Sequence, residues 1–106
     1  MLRGTRLIRL VTPEIVMYNY RLIENQLQAI LSSLGLLLSE AELEEVQHFI
    51  DVGEYGLAFE TLCGIIDEER KIIPLSVYYL IDDLGKQMEI DPAIWAQLKV
   101  RQKSEI

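Results

Sequence analysis

Apolar residues return along this chain at steps of three and four, the period of a helix that buries one face. The first such run is Val16, Tyr20, Ile23, Leu27, Ile30 and Leu34, at steps of 4, 3, 4, 3 and 4. Thr12-Pro13-Glu14 stands ahead of it as a start signal. Thr serves as N-cap, proline takes the first helical position, and the acid sits where the helix dipole favours one. Ser32, Ser33 and Gly35 close the run. Leu36, Leu37 and Leu38 follow at once, and leaving three leucines in water is costly, so this loop is expected to tuck under the core.

A second helix is expected from Ser39, which forms a capping box with Glu42 three residues on. Leu43, Val46 and Ile50 make its inner face with Phe49 beside them, and Gly53 supplies the left-handed residue that ends it. A third helix begins near Glu54. Tyr55, Ala58, Phe59, Leu62 and Ile66 give it helical spacing, and Leu57, Cys63 and Ile65 widen the stripe. Small residues at Gly56, Ala58 and Gly64 would let a neighbouring helix approach, although each glycine weakens the helix by roughly 1 kcal/mol relative to Ala. Pro74 opens a fourth helix with Val77, Leu80, Ile81, Leu84 and Met88 inward and Tyr78, Asp82 and Gly85 on the opposite side. Asp91-Pro92 repeats the start signal and predicts a short last helix carrying Ile94, Trp95 and Leu98, with Lys99, Arg101 and Lys103 suiting its C-terminus. The pattern predicts an all-α protein: a single small domain of about five helices in an antiparallel bundle. It spans residues 1–106, with 1–11 as an N-terminal arm and 101–106 as a frayed tail. A chain of 106 residues suffices for one modest core.

Charge sharpens this picture. The chain has 17 acids and 10 bases, a net charge of −7 at pH 7. Residues 39–69 alone hold ten acids and no Lys or Arg, so the remaining 7 acids face all 10 bases and that remainder nets +3. Part of the acidity has a structural cause, because Glu40, Glu42, Glu44 and Glu45 crowd the start of the second helix. The rest does not. A face of one sign forgoes i,i+4 ion pairs, and Asp67-Glu68-Glu69 put the wrong charge at a helix C-terminus, a conflict that Arg70 and Lys71, following at once, are placed to soften. Local inconsistency of this kind is expected at a functional surface.

The net negative charge argues against direct binding to nucleic acid or anionic lipid. No apolar run approaches the roughly 18–20 residues of a membrane span. The start, MLRGTRLIRLV, carries Arg3, Arg6 and Arg9 but neither a continuous apolar region nor a small-residue cleavage site, so no signal peptide is expected. A single Cys63 cannot form an internal disulfide, and a cytoplasmic location is the expectation.

Catalytic chemistry finds little footing. There is no Gly-rich phosphate loop, no cysteine pair and no second histidine. Glu45-x-x-His48, with Asp51 on the same helix face, is half of a ferritin-type pattern, and a bundle metal site needs such a motif from two helices. Neither metal nor other cofactor is expected. Cys63 lies in an apolar stripe with nothing basic near it, which reads as a buried structural thiol. Asp51 and Glu54 share a turn with no apolar cradle to separate their pKa values, so acid–base catalysis is not expected and the chain reads as a non-enzyme.

At the hinge the sequence runs FIDVGEYGLAFETLCGIIDEE. This resembles the MafI family of bacterial immunity proteins, whose members carry a similar F-I-D-x-G-E-Y-x-L-A-x-E-x-L core. Here the matching residues are Phe49, Ile50, Asp51, Gly53, Glu54, Tyr55, Leu57, Ala58, Glu60 and Leu62. Ser39-x-x-Glu42 and the Ile-Asp-Pro-x-x-Trp pattern over 90–95 add to the likeness, which covers roughly residues 38–98. The resemblance implies a cytoplasmic inhibitor of a cognate secreted toxin whose C-terminal domain is often a nuclease. A nuclease cleft is basic, and an acidic helical surface could occupy it or block access to it. On that reading the toxin-binding residues are Asp51, Glu54, Tyr55, Glu60, Asp67, Glu68 and Glu69, with Asp82 and Asp83 at the periphery. Gly53 and Ala58 fit a structural role better, and Glu60 fits either. Two other classes remain open: a small acidic helical adaptor, using the leucine-rich loop or the acidic face, and a structural subunit of a larger complex.

Overall fold

The computed structural model describes residues 20–101. The N-terminal arm, the Thr12-Pro13-Glu14 start, Val16 and the tail after Arg101 lie outside the described residues. Helix α1 runs to residue 33 and is helical from residue 20, the first described. Helices α2 (Glu40–Asp51), α3 (Tyr55–Glu68) and α4 (Leu75–Gln87) follow, so the described residues form a mostly helical domain of four helices.

One core joins them. Ile23, Leu27, Ile30 and Leu34 of the first run are buried, and Leu31 joins them. Val46 and Ile50 of α2 meet Ala58, Phe59, Leu62, Cys63 and Ile66 of α3, and α4 adds Val77, Ile81 and Leu84. Each large apolar side chain taken fully out of water contributes about 1.5–3 kcal/mol before chain entropy is set against it. Tyr20, at the described end of the first stripe, stays 51% exposed.

The helix ends obey one rule, only partly visible in the residues. The Ser39 hydroxyl accepts from the Glu42 N–H at 3.1 Å, and Glu42 Oε1 accepts from the Ser39 N–H at 2.8 Å, completing the capping box. At the end of α2, Gly53 takes φ 79°. There the Glu54 N–H donates to the Phe49 carbonyl at 2.8 Å and the Gly53 N–H to that of Ile50 at 3.0 Å, a Schellman closure. The same closure ends α3 and α4, with Arg70 at φ 54° and Glu89 at φ 57° where a glycine would rest more easily.

Three expectations are corrected. The predicted last helix is a single 3₁₀ turn over Pro92–Ile94, which Asp91 caps by accepting from the Ala93 N–H at 3.0 Å. Beyond it the chain extends: β2 (Lys99–Val100) pairs in parallel with β1 (Ile72–Ile73), in the register Ile72 with Lys99 and Ile73 with Val100. Lys99 and Arg101 therefore end no helix. The cause is Trp95, which is 1% exposed and turns back onto α4. Its indole N–H donates to Asp82 Oδ1 at 3.0 Å, and its ring meets Phe59 edge-on with centroids 5.6 Å apart.

The second correction follows from that contact. Asp82 and Gly85 were placed on the outer side of α4, but this side is where Trp95 packs. Leu80, placed inward, is 41% exposed. The glycine needed for close approach is Gly85, whereas Gly56 and Gly64 have open space where a side chain would begin. Third, the leucine loop divides: Leu38 is buried and Leu37 packs against the core, while Leu36 stands fully exposed at 102%.

Candidate functional site

The hairpin of α2 and α3 presents its acids outward. Asp51, Glu54, Glu60, Asp67, Glu68 and Glu69 are all exposed, and Tyr55 is half-buried. They do not form one cluster. Glu54 is the N-cap of α3 and Glu68 its last residue, so at 1.5 Å per residue they stand about 20 Å apart along the helix. Asp51 is held on its own helix by the Gln47 amide, which donates to its carboxylate at 2.9 Å.

Two concavities gather four of these residues, Glu60 with Glu68 and Glu54 with Tyr55, while Asp51, Asp67 and Glu69 line neither. The first is an open groove of about 380 Å³ between α2 and α3, lined by Glu45, Leu57, Glu60, Thr61, Gly64, Ile65 and Glu68. On α3 these positions follow steps of three and four and share a face. Gly64 leaves bare backbone there. The groove is acidic along its walls, with Leu57 as an exposed apolar element.

The second concavity, about 400 Å³, lies where the α2–α3 turn meets α1 and the end of α4. Tyr20, Ile23, Gly53, Glu54, Tyr55, Gly56, Met88 and Ile90 line it. The Tyr20 and Tyr55 ring centroids stand 5.9 Å apart with planes inclined at 53°. The Tyr55 hydroxyl donates to Glu24 Oε1 at 3.4 Å. Partial burial foremost, and then the Glu24 charge, push the phenol's pKa upward, so it stays a neutral donor.

Asp82 and Asp83 behave differently from each other. Asp83 is exposed on α4, whereas the Asp82 carboxylate is engaged inside the chain. It accepts from Trp95 and pairs with Lys86 Nζ at 3.0 Å. The Trp95 hydrogen bond first, and Lys86 second, hold Asp82 below the usual carboxylate range, and Asp82 in turn raises Lys86. Lys71 does not answer the acidic end of α3 either. Its ammonium reaches back to Glu42 Oε1 at 3.6 Å and ties the start of β1 to the start of α2. The Ser39 backbone N–H is the main reason the Glu42 carboxyl also titrates low.

Sequence reading missed Glu45 as a groove wall and Tyr20, Met88 and Ile90 as partners of Glu54 and Tyr55. Helical spacing tells which residues share a face, but not which neighbour that face meets. Cys63 is buried, and burial pushes its thiol up to about 12, so it is protonated at neutral pH. His48 is exposed and lies edge-on to Phe49 with ring centroids 5.6 Å apart. Among the described residues, no group of three or more His, Cys, Asp or Glu is arranged to hold a metal ion, and no helix is long and apolar enough to cross a membrane. Comparisons with protein-family models, curated proteins and solved structures find no match to the chain.

Proposed function

We propose that this protein is an immunity protein: it binds and neutralises a cognate bacterial toxin in the cytoplasm of the cell that makes the toxin. The toxin domain is taken to be a nuclease with a basic cleft, and the contact to be the outer face of the α2–α3 hairpin. One observation carries the reading. Asp51, Glu54, Glu60, Asp67, Glu68 and Glu69 are exposed along about 20 Å of helix, residues 39–69 contain no Lys or Arg, and the one ion pair described there joins Glu42 to Lys71. Such a face attracts a cationic surface over a Debye length of about 8–10 Å and speeds encounter. The capping box accounts for Glu42 and the Gln47 amide holds Asp51, whereas the side chains of Glu54, Glu60, Asp67, Glu68 and Glu69 have no partner among the described residues.

The hinge likeness to the MafI family supports the same reading. Gly53 in that motif ends α2, and the Ile-Asp-Pro-x-x-Trp pattern caps a turn and seats Trp95, so a share of the likeness is structural. The adaptor reading has its own support in Leu36, fully exposed beside the acidic hairpin's start. Co-expression with the product of the neighbouring gene separates the two. Immunity predicts that the pair co-purifies and that nuclease activity falls stoichiometrically. A pair that forms without loss of activity favours the adaptor, and no pair at all removes the toxin reading.

A further inference from the structure

We infer that the cleft at the α2–α3 turn is a receptor for one arginine or lysine side chain of the protein partner. The inference rests on the proposed function only in taking the partner's surface to be basic. Its substance is the cleft's own construction.

A long cationic side chain asks three things of a receptor: apolar surface for its stem, an aromatic face or carboxylate for its head, and no competing cation. Ile23 and Met88 supply the apolar surface. Tyr20 and Tyr55 supply two inclined rings 5.9 Å apart, and a cation within about 6 Å of a ring centroid is attracted to its face. Glu54 lines the same cleft, and Glu24 stands against the Tyr55 hydroxyl. Among the described residues no Lys or Arg lines it.

One local charge opposes the idea. The cleft includes the N-terminus of α3, which carries the equivalent of about +0.5 charge. Glu54 makes no side-chain cap bond there, so its carboxylate is left free for a ligand, and Glu24 stands beyond the Tyr55 hydroxyl. Glu54 brings a full carboxylate to the lining against half a charge, with Glu24 behind the Tyr55 hydroxyl, so the described lining favours a cation over an anion. It also differs in kind from the groove between α2 and α3. That groove has acids but no aromatic ring, so it offers steering without an anchor.

The experiment uses the full chain and a small probe. ¹⁵N-labelled protein is titrated with N-acetyl-arginine amide and, separately, with N-acetyl-norleucine amide, following the Gly53 and Gly56 amides and the tyrosine ring signals. The arginine probe is expected to give saturable shifts at these positions that the norleucine probe does not. Tyr20→Ala and Glu54→Gln should each weaken them, by roughly tenfold in the double variant. Both side chains are exposed, and if Tyr20→Ala fails to fold, Glu54→Gln alone serves. Equal shifts with norleucine, unsaturable shifts spread to residues 67–69, or no shift would each overturn the inference. Failure here is distinct from failure of the immunity reading. A toxin still neutralised by the double variant removes the anchor and leaves the inhibitor. An arginine-binding cleft in a chain that inhibits nothing does the reverse.

Discussion

Gly85→Ala is the smallest change that tests how this fold is closed. A methyl group built at residue 85 lies 2.3 Å from Trp95 Cζ3, 2.4 Å from Cη2 and 2.9 Å from Cε3, well inside carbon–carbon contact. The indole must retreat by more than about 1 Å to restore an ordinary separation of about 3.5 Å. It has little freedom to do so. The ring is buried, its N–H is fixed to Asp82, and its face takes the edge of Phe59 or offers its own. Overpacking a tight core costs about 1–3 kcal/mol, and two anchors place this site at the upper end. Replacing glycine in a helix returns about 1 kcal/mol. The net expectation is a loss of about 2 kcal/mol, rising toward about 4 if the hydrogen bond to the charged Asp82 also breaks. For a domain of about 100 residues, about 2 kcal/mol lowers Tm by roughly 8–16 °C. Urea unfolding followed by fluorescence of Trp95, the chain's one tryptophan, reads the change directly. Gly64→Ala is the control: it has open space at the new carbon and should stabilise by about 0.5–1 kcal/mol. A Gly85→Ala variant as stable as the parent would refute the Trp95 contact and the account of why the last helix does not form.

The other expectations concern single groups. Cys63, buried and titrating near 12, should resist thiol reagents at neutral pH and react only as fast as the chain opens, which a labelling time course under increasing urea measures. Asp82 and Glu42 both titrate below their unfolded values, so what they contribute is complete above about pH 5 and is lost as pH falls through their folded values. Unfolding midpoints should therefore drop as pH falls below about 5, and Asp82→Asn should flatten part of that slope. Lys86 is raised, so its share of the same pair persists through neutral pH and is lost only as pH climbs past about 10.4 through its folded value. Glu89→Gly relieves a left-handed residue at φ 57° and should raise stability by up to about 1 kcal/mol, read from the same urea curves.

Local signals were the legible part of the sequence. The capping box at Ser39, the left-handed Gly53 and most of the stripes of α1 to α3 depend on neighbours within five residues and are realised, but Val16 lies outside the described residues, Tyr20 is exposed, and Leu57, expected to widen the buried stripe of α3, is 47% exposed. What escaped was contact between distant segments. Asp91-Pro92 announces a helical start correctly, yet nothing local says that Trp95 will be captured by Gly85 and Asp82 and stop the helix after one turn. The polar identity of Asp82 put that face of α4 outward, because a lone sequence cannot show that an indole N–H thirteen residues on needs an acceptor. Two-residue strands such as Ile72–Ile73 carry no period at all and are specified only by their partner. The acids followed the same division: their exposure was legible, and their separation into a groove and a tyrosine cleft was not.

The central claim is that the hairpin's carboxylates meet the toxin. The most direct measurement is binding of the toxin domain by Glu54→Lys/Glu68→Lys, with circular dichroism to verify the helices. The two exposed sites lie at opposite ends of α3, so reversal there changes the field along the whole face without touching the core. The account predicts an association rate at least about tenfold slower at low salt, a smaller dependence on salt than the parent shows, and loss of protection. Unchanged affinity with full protection would contradict it and place the contact on another surface.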